Sequence, residues 1–264
     1  TGWNTTALGH MSLNSNTTGA DNLASGTYNS QYNTTGSANT SVGSHGLQNN
    51  TIGNDNTTLG YVTLKNNTQG DNNTAIGSRA GEDLNTNSNN NTFLGSGADT
   101  TSGTTLSNST AIGSGAIVTA SNKIRLGNTN VTSIEGQVAW TNASDRRLKK
   151  DITSTKYGLE TILKLVPVDY LLKSNNLSQI GFIAQDLKPI VPEAVNGSEG
   201  DIEKGETLGI TYTSIIPILT KAIQEQEKVI REQEVLNEKQ KVNIDTLTKT
   251  IDSIIKRIDT LENK

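Results

Sequence analysis

Cysteine is absent from the 264 residues, methionine occurs once, proline four times and phenylalanine twice, and only 32% of the chain is hydrophobic. Without thiols there is no disulfide framework, no thiolate metal site and no cysteine nucleophile. The thin apolar content argues against one well-filled globular core. No window approaches the roughly 18 to 20 consecutive apolar residues that cross a bilayer, so no membrane insertion is expected. A formal charge of -4 offers no basic field for nucleic acid. The sequence opens at Thr1 with neither Met nor a charged-then-apolar leader, as a piece excised from a longer protein would.

What is present divides near residue 140. Before Ser144 there are 25 Asn and 19 of the 25 Gly, only four basic residues (Lys65, Arg79, Lys123 and Arg125), and no proline. From Ser144 onward come 18 Lys or Arg, all four prolines and regular apolar periodicity. An Asn, Thr, Ser and Gly-rich segment usually stays disordered, because it buries too little apolar surface to offset chain entropy. Here a period overrides that expectation. Gly recurs at 9, 26, 43, 60, 77, 95 and 113, in steps of 17 residues and then 18, closing phrases such as NTTALG, NTSVG, NTAIG and STAIG. A second family at 19, 36, 53 and 70 keeps the 17-residue step.

Each repeat also carries an aliphatic residue (Leu8, Val42, Leu59, Ile76, Leu94, Ile112), with Leu13, Leu47 and Leu64 in a second register. One or two such residues per repeat form no core alone, but stacked coils can place each above the last. Asn and Thr ladders at the corners and Gly in positive-φ turns complete the coil. The expected architecture is a β-solenoid or β-roll over residues 1–127. The phrases NTAIGSRAG and STAIGSGA resemble the head repeats of YadA-type trimeric adhesins and the repeats that precede tail-fibre chaperone domains. That resemblance implies a trimeric, fibre-like β-roll.

Few residues in the repeats suggest chemistry. His10 and His45 lack a regularly spaced acidic partner, so no metal or cofactor is expected. Glycosidases need paired carboxylates, and the acids here are Asp21, Asp55, Asp71, Glu82, Asp83, Asp99 and Glu135, without a suggestive pairing. The many N-x-T phrases are better explained by the repeat than by glycosylation.

Ile124, Leu126, Val131, Ile134 and Val138 predict short junction strands leading out of the solenoid through 128–143. Then come TNASDRRLKKDI (141–152), YGLETILKLVPVDYLLK (157–173), QIGFIAQDLKPIVPEAV (179–195) and ETLGITYTSIIPILTKAIQEQEKVI (206–230). Leu159, Ile162, Leu163 and Val166 lie at helical spacing, ended by Pro167 ahead of a strand-like VDYLL. QIGFIAQ has strand character and leads into a short helix bounded by Pro189 and Pro192. A small α+β unit is expected over 144–214.

From Ile215 a long helix begins, with Pro217 tolerable in its first turn. Ile216, Ile223, Ile230, Asn237, Ile244, Ile251 and Ile258 occupy one heptad position; Leu219, Gln226, Gln233, Gln240, Leu247, Ile254 and Leu261 occupy the other. Ile at the first with Ile or Leu at the second favours more than two strands, so residues 215–264 predict a trimeric coiled coil.

The four blocks, in this order, resemble the intramolecular chaperone domain of phage tail fibres and endosialidase tailspikes, the S74 peptidase family. SDRRLKKDI and GFIAQD are its most specific phrases here. The resemblance implies self-cleavage between Ser144 and Asp145, with Ser144 as nucleophile and Lys149 as general base. A serine hydroxyl needs such a neighbouring base, and Arg146, Arg147 and Lys150 add cations that favour a neutral lysine. The expected function is a structural fibre, a homotrimer on a phage tail, a phage-like apparatus or a cell surface, folded by its own chaperone. The alternative is a bacterial-surface adhesin that binds a receptor or glycan without cutting itself.

Overall fold

A computed structural model describes residues 2–173, 176–202 and 207–262. It forms two compact units that part at residue 139/140, the first containing the repeats and the second the C-terminal helix.

In the first unit the repeats contribute short strands: β1 (Thr6–Leu8), β2 (Leu23–Ser25), β3 (Thr40–Val42), β4 (Thr57–Leu59), β5 (Thr74–Ile76) and β6 (Thr92–Leu94), then β7 (Asp99–Thr100), β8 (Thr110–Ile112), β9 (Ile117–Val118) and β10 (Ile124–Leu126). Eight of them pair in parallel in the order β1-β2-β3-β4-β5-β6-β8-β10, and β7 pairs with β9. Register follows the sequence period, with Thr40 beside Thr57 and Thr57 beside Thr74. This is a β-solenoid of about seven turns.

The corners are held by asparagine. Asn39 Nδ2 donates to the Asn22 Oδ1 of the preceding coil at 3.2 Å and to the Gly53 carbonyl of the next at 2.8 Å. Asn56, Asn73 and Asn91 repeat the pattern. All are buried, and each amide is satisfied by the coils on either side, which is how a coil with so little apolar surface closes. Glycine serves two ends. Gly43 and its equivalents adopt positive φ (125° at Gly43), where a Cβ would also press on the glycine of the next coil. Gly36 and Gly53 have no positive φ; they are required because a Cβ would collide with the neighbouring coil's carbonyl and with an Asn side chain. The left-handed positions elsewhere go to Asn and Asp, as at Asp21, Asp55 and Asn72, and to residues as varied as Tyr28, His45 and Leu64.

The filling of the coil corrects the expectation. In β2 to β6 and in β8 the central side chain points inward: Ala24, Ser41, Thr58, Ala75, Phe93 and Ala111 are buried. The third residue shares the outer face with the first, because strand side chains alternate. Leu8, Leu59, Ile76, Leu94 and Ile112 therefore stand outside, with Leu59 50% exposed, and Val42 is half-buried. The interior is supplied by the second register, where Leu47 and Leu64 are buried with Leu84, Leu106 and Val118.

Over 128–143 no strand forms, so Val131, Ile134 and Val138 are exposed rather than paired. Their apolar residues are too widely spaced, across Gly136 and polar neighbours, to continue the coil's phrase.

The second unit holds α1 (Leu159–Ile162), β11 (Val168–Leu171), β12 (Ser178–Gly181), α2 (Ala184–Leu187), β13 (Val195–Gly197), β14 (Leu208–Ile210) and α3 (Ile216–Glu262). β11 pairs antiparallel with β12, and β13 with β14. α1 is a single turn; Leu163 and Val166, placed on it by spacing, are exposed beyond its end. α2 ends ahead of Pro189, and Pro192 opens a 3-10 turn over Pro192–Ala194. The core gathers Leu187, Val191, Ala194, Ile215 and Ile218, with Tyr157, Phe182 and Ile210 against it. Gly181 is needed because a Cβ there would strike the Tyr212 hydroxyl, which accepts the Phe182 backbone N–H at 3.1 Å.

α3 runs 47 residues, about 70 Å at 1.5 Å per residue. Its first turns carry two faces. Ile218 and Ala222 are buried on the unit's own core, and Glu225 accepts the Leu159 backbone N–H at 2.8 Å, capping α1. Ile216, Leu219 and Ile223, which belong to the heptad, face elsewhere and stay exposed.

Candidate functional site

The dyad read from sequence is assembled by one short turn. Asp145 is the N-cap of a 3-10 turn over Arg146–Leu148: its carboxylate accepts the Arg147 backbone N–H at 2.8 Å. The Arg147 guanidinium grips the same carboxylate, Nε at 3.1 Å from both oxygens and Nη2 at 2.7 Å from Oδ2. The Arg147 side chain, with its backbone amide, holds the Asp145 carboxyl below the usual range, and Arg147 is raised in return. Lys149 closes the turn, its backbone N–H bonded to the Arg146 carbonyl at 3.1 Å. The turn brings Lys149 back over Ser144, so that Nζ donates to Oγ at 2.8 Å.

Ser144 and Lys149, expected from the resemblance as nucleophile and base, are thus in direct contact across five residues, in hydrogen-bond reach for proton transfer. Arg147, expected as a neighbouring cation for Lys149, is paired with Asp145 instead. The role of Asp145 as a cap has a sequence signal, an Asp placed directly before the turn it caps.

The dyad's surroundings are open. Residues 129–156 are exposed throughout, including Trp140 at 83%, Leu148 and Ile152. These apolar side chains flank the dyad, with nothing over them among the described residues.

In the solenoid, Asp99 is buried in β7, its carboxylate accepting the backbone N–H groups of Thr100 at 2.8 Å and Asp83 at 3.1 Å. Burial pushes its pKa up to about 7 against the pull of those two amides, with Asp83 and Glu82 adding like charge. Sequence spacing gave no sign of this, because the burial comes from the lengthened coils around Asp99. Glu82 is engaged by Arg79 at 3.6 Å. His10 and His45 lie in a file of rings with Tyr28 and Tyr61, centroids 5.2 to 5.9 Å apart. Among the described residues no group of three or more His, Cys, Asp or Glu is arranged to hold a metal ion.

Residues 144–196 match the Peptidase_S74 family, described as the chaperone of endosialidase. The matched segment begins at Ser144, contains Lys149 and the whole dyad turn, and lies C-terminal to the β-solenoid. No curated protein and no solved structure matches the chain.

Proposed function

We propose that the chain is a homotrimeric structural fibre of the phage tail-fibre kind, in which the C-terminal chaperone sets the register of three β-solenoids. The observation that carries this is the pair of uncovered aliphatic rows. Leu59, Ile76, Leu94 and Ile112 form one row along the outer face of the strands, in parallel register. Ile244, Leu247, Ile251, Ile254 and Ile258 form the other, along the C-terminal half of α3. A helix whose C-terminal half has no partner among the described residues of its own chain derives its stability from association, and Ile-rich heptads favour three strands. Three solenoids with a 17-residue period have many nearly equivalent alignments, so a device that fixes alignment before they pack has a clear purpose.

The test is to compare the full chain with one ending at Ala143. The full chain should yield folded trimer and the shortened one should aggregate or stay monomeric. Efficient trimerisation of the shortened chain would remove the chaperone role.

Self-cleavage beside Ser144 belongs to the same proposal, with Ser144 as nucleophile and Lys149 as base. Its support is the 2.8 Å contact between them within the family-matched segment. Ser144→Ala and Lys149→Ala should each leave an uncut chain that still assembles. A virion tail or an extracellular surface is the fitting location. The adhesin reading is favoured by one feature, the partly exposed His10, Tyr28, His45 and Tyr61 file, since aromatic rings on a rigid surface suit a sugar face. Loss of glycan-array binding in Tyr28→Ala and Tyr61→Ala would support it; an array with no binding would remove it.

A further inference from the structure

We infer that the ring file of the solenoid is a track for a neutral, linear glycan, which lies along the stacking axis with successive sugar units on successive rings. The inference rests on the glycan-binding reading of the file and assigns the class of ligand and the way it lies.

The coil does not need rings at these places. Each of β1 to β4 ends at a glycine turn, and one ring follows in each: His10 and Tyr61 directly after the glycine, Tyr28 and His45 one residue later. The later coils make the same turn without a ring, through Ser78 and Arg79, Ser96 and Gly97, and Ser114 and Gly115. The second residue of the turn has a left-handed backbone throughout, with φ at 55° for Tyr28, 61° for His45, 62° for Gly97 and 63° for Gly115. Its N–H is used alike, Tyr28 donating to the His10 carbonyl at 2.8 Å and Gly97 to the Ser78 carbonyl at 2.9 Å. A Cβ at Gly97 would meet nothing within 4 Å, so φ alone accounts for glycine there. Tyr28 and His45 carry large rings in a conformation that disfavours them, at a turn that accepts glycine. Backbone held against its preference in this way points to function.

The coil also sets the spacing. Parallel strands stack about 4.8 Å apart, and the ring centroids follow at 5.2 to 5.9 Å, close to the length of one pyranose unit in an extended chain. The half-buried central pair, Tyr28 and His45, is tilted by only 38°; the more exposed end rings, His10 and Tyr61, are turned by 86° and 75° to their neighbours. Ring faces take the C–H face of a sugar, and the polar tips take its hydroxyls. At His45 one tip is already oriented. Ser44 Oγ donates to the Thr27 carbonyl at 3.3 Å and lies 2.7 Å from His45 Nδ1, so it accepts the Nδ1 proton and Nε2 is left as an acceptor for a sugar hydroxyl.

Charge decides the class. No Lys or Arg occurs before Lys65, so the coils that carry the rings hold no fixed cation, and Arg79 of the next coil pairs with Glu82. An anionic glycan would find no counter-charge along the file.

The experiment titrates the full chain with β-linked gluco-, manno- and N-acetylglucosamine oligosaccharides from dimer to hexamer, and with polygalacturonate as an anionic probe, while thermal melts follow the fold. Affinity for a neutral series should rise about tenfold or more from dimer to tetramer, as each added unit engages the next ring of a chain already bound, and level off once all four rings are covered. Added salt should leave it unchanged. Tyr28→Gly puts at the turn the residue that Gly97 supplies later, and should keep the melt while weakening tetramer binding about tenfold or more. Full binding by that variant would overturn the file as the site. A dimer bound as tightly as the hexamer would overturn the axial track, and a preference for polygalacturonate would overturn the neutral class; both leave the glycan-binding reading standing. No binding of any of these probes to a folded chain would remove that reading and the inference with it. The length series is read on the wild type, so it decides even if the variant fails to fold.

Discussion

The solenoid and the C-terminal helix each leave a row of large aliphatic side chains uncovered, yet they differ in what lies behind that row. Behind the Leu59, Ile76 and Leu94 row is a filled interior, with Phe93, Leu47 and Leu64 buried and the Asn56 and Asn73 amides satisfied between coils. Behind Ile251 and Ile254 there is only the rest of one helix. The solenoid thus carries part of its stability within one chain, whereas the distal helix, in the proposed trimer, gains its stability from association. Disruption of the helix should abolish assembly, while disruption of the solenoid interior should lower stability within it.

The largest effect is expected from Ile251→Asp combined with Ile254→Asp. Charges in the seam of an association helix carry a desolvation cost that packing cannot offset, and sedimentation should show monomer. Phe93→Ala empties a fully buried site in the solenoid and should cost about 3 to 5 kcal/mol. It should lower the solenoid's unfolding midpoint and leave the three-chain mass unchanged. Loss of the trimer in this variant alone would break the division of roles between the two regions.

A smaller effect should depend on pH. The Asp99 pKa is raised by burial to about 7 from 3.8, so the folded solenoid binds a proton that the unfolded chain releases. Its contribution is complete below about pH 4 and is lost as pH rises through 7. The difference is on the order of 4 kcal/mol across that window, at about 1.4 kcal/mol per pKa unit. Thermal melts of the wild type should fall over this window, and Asp99→Asn, which cannot ionise and keeps one of the two acceptor oxygens, should flatten the curve. The smallest effect is expected at one rung of the corner ladder. Asn56→Ala leaves the Gly70 carbonyl and the Asn73 amide short of partners, at about 1 to 3 kcal/mol by chemical denaturation.

Much of this is legible in the sequence because repetition exposes it. The 17-residue spacing of Gly9, Gly26 and Gly43 gives the coil, and the heptad from Ile216 gives the helix with its uncovered row. For the inward face, hydrophobicity marks the wrong residue. In NTAIG the large Ile76 faces out and the small Ala75 faces in, and the inner position varies from Ser41 to Phe93 along the stack. Only the two-residue alternation of a strand, counted from the shared Thr, identifies it. The meeting of Ser144 with Lys149 is anticipated by the surrounding blocks, while the Asp145 cap and its Arg147 partner depend on a turn that spacing alone does not specify.

The central claim, that two further copies cover both aliphatic rows, is tested most directly by the native mass of the intact chain at micromolar concentration. The account predicts three chains, or three chains' worth of paired fragments where the cut has occurred. A mass of a single 28.1 kDa chain would contradict it.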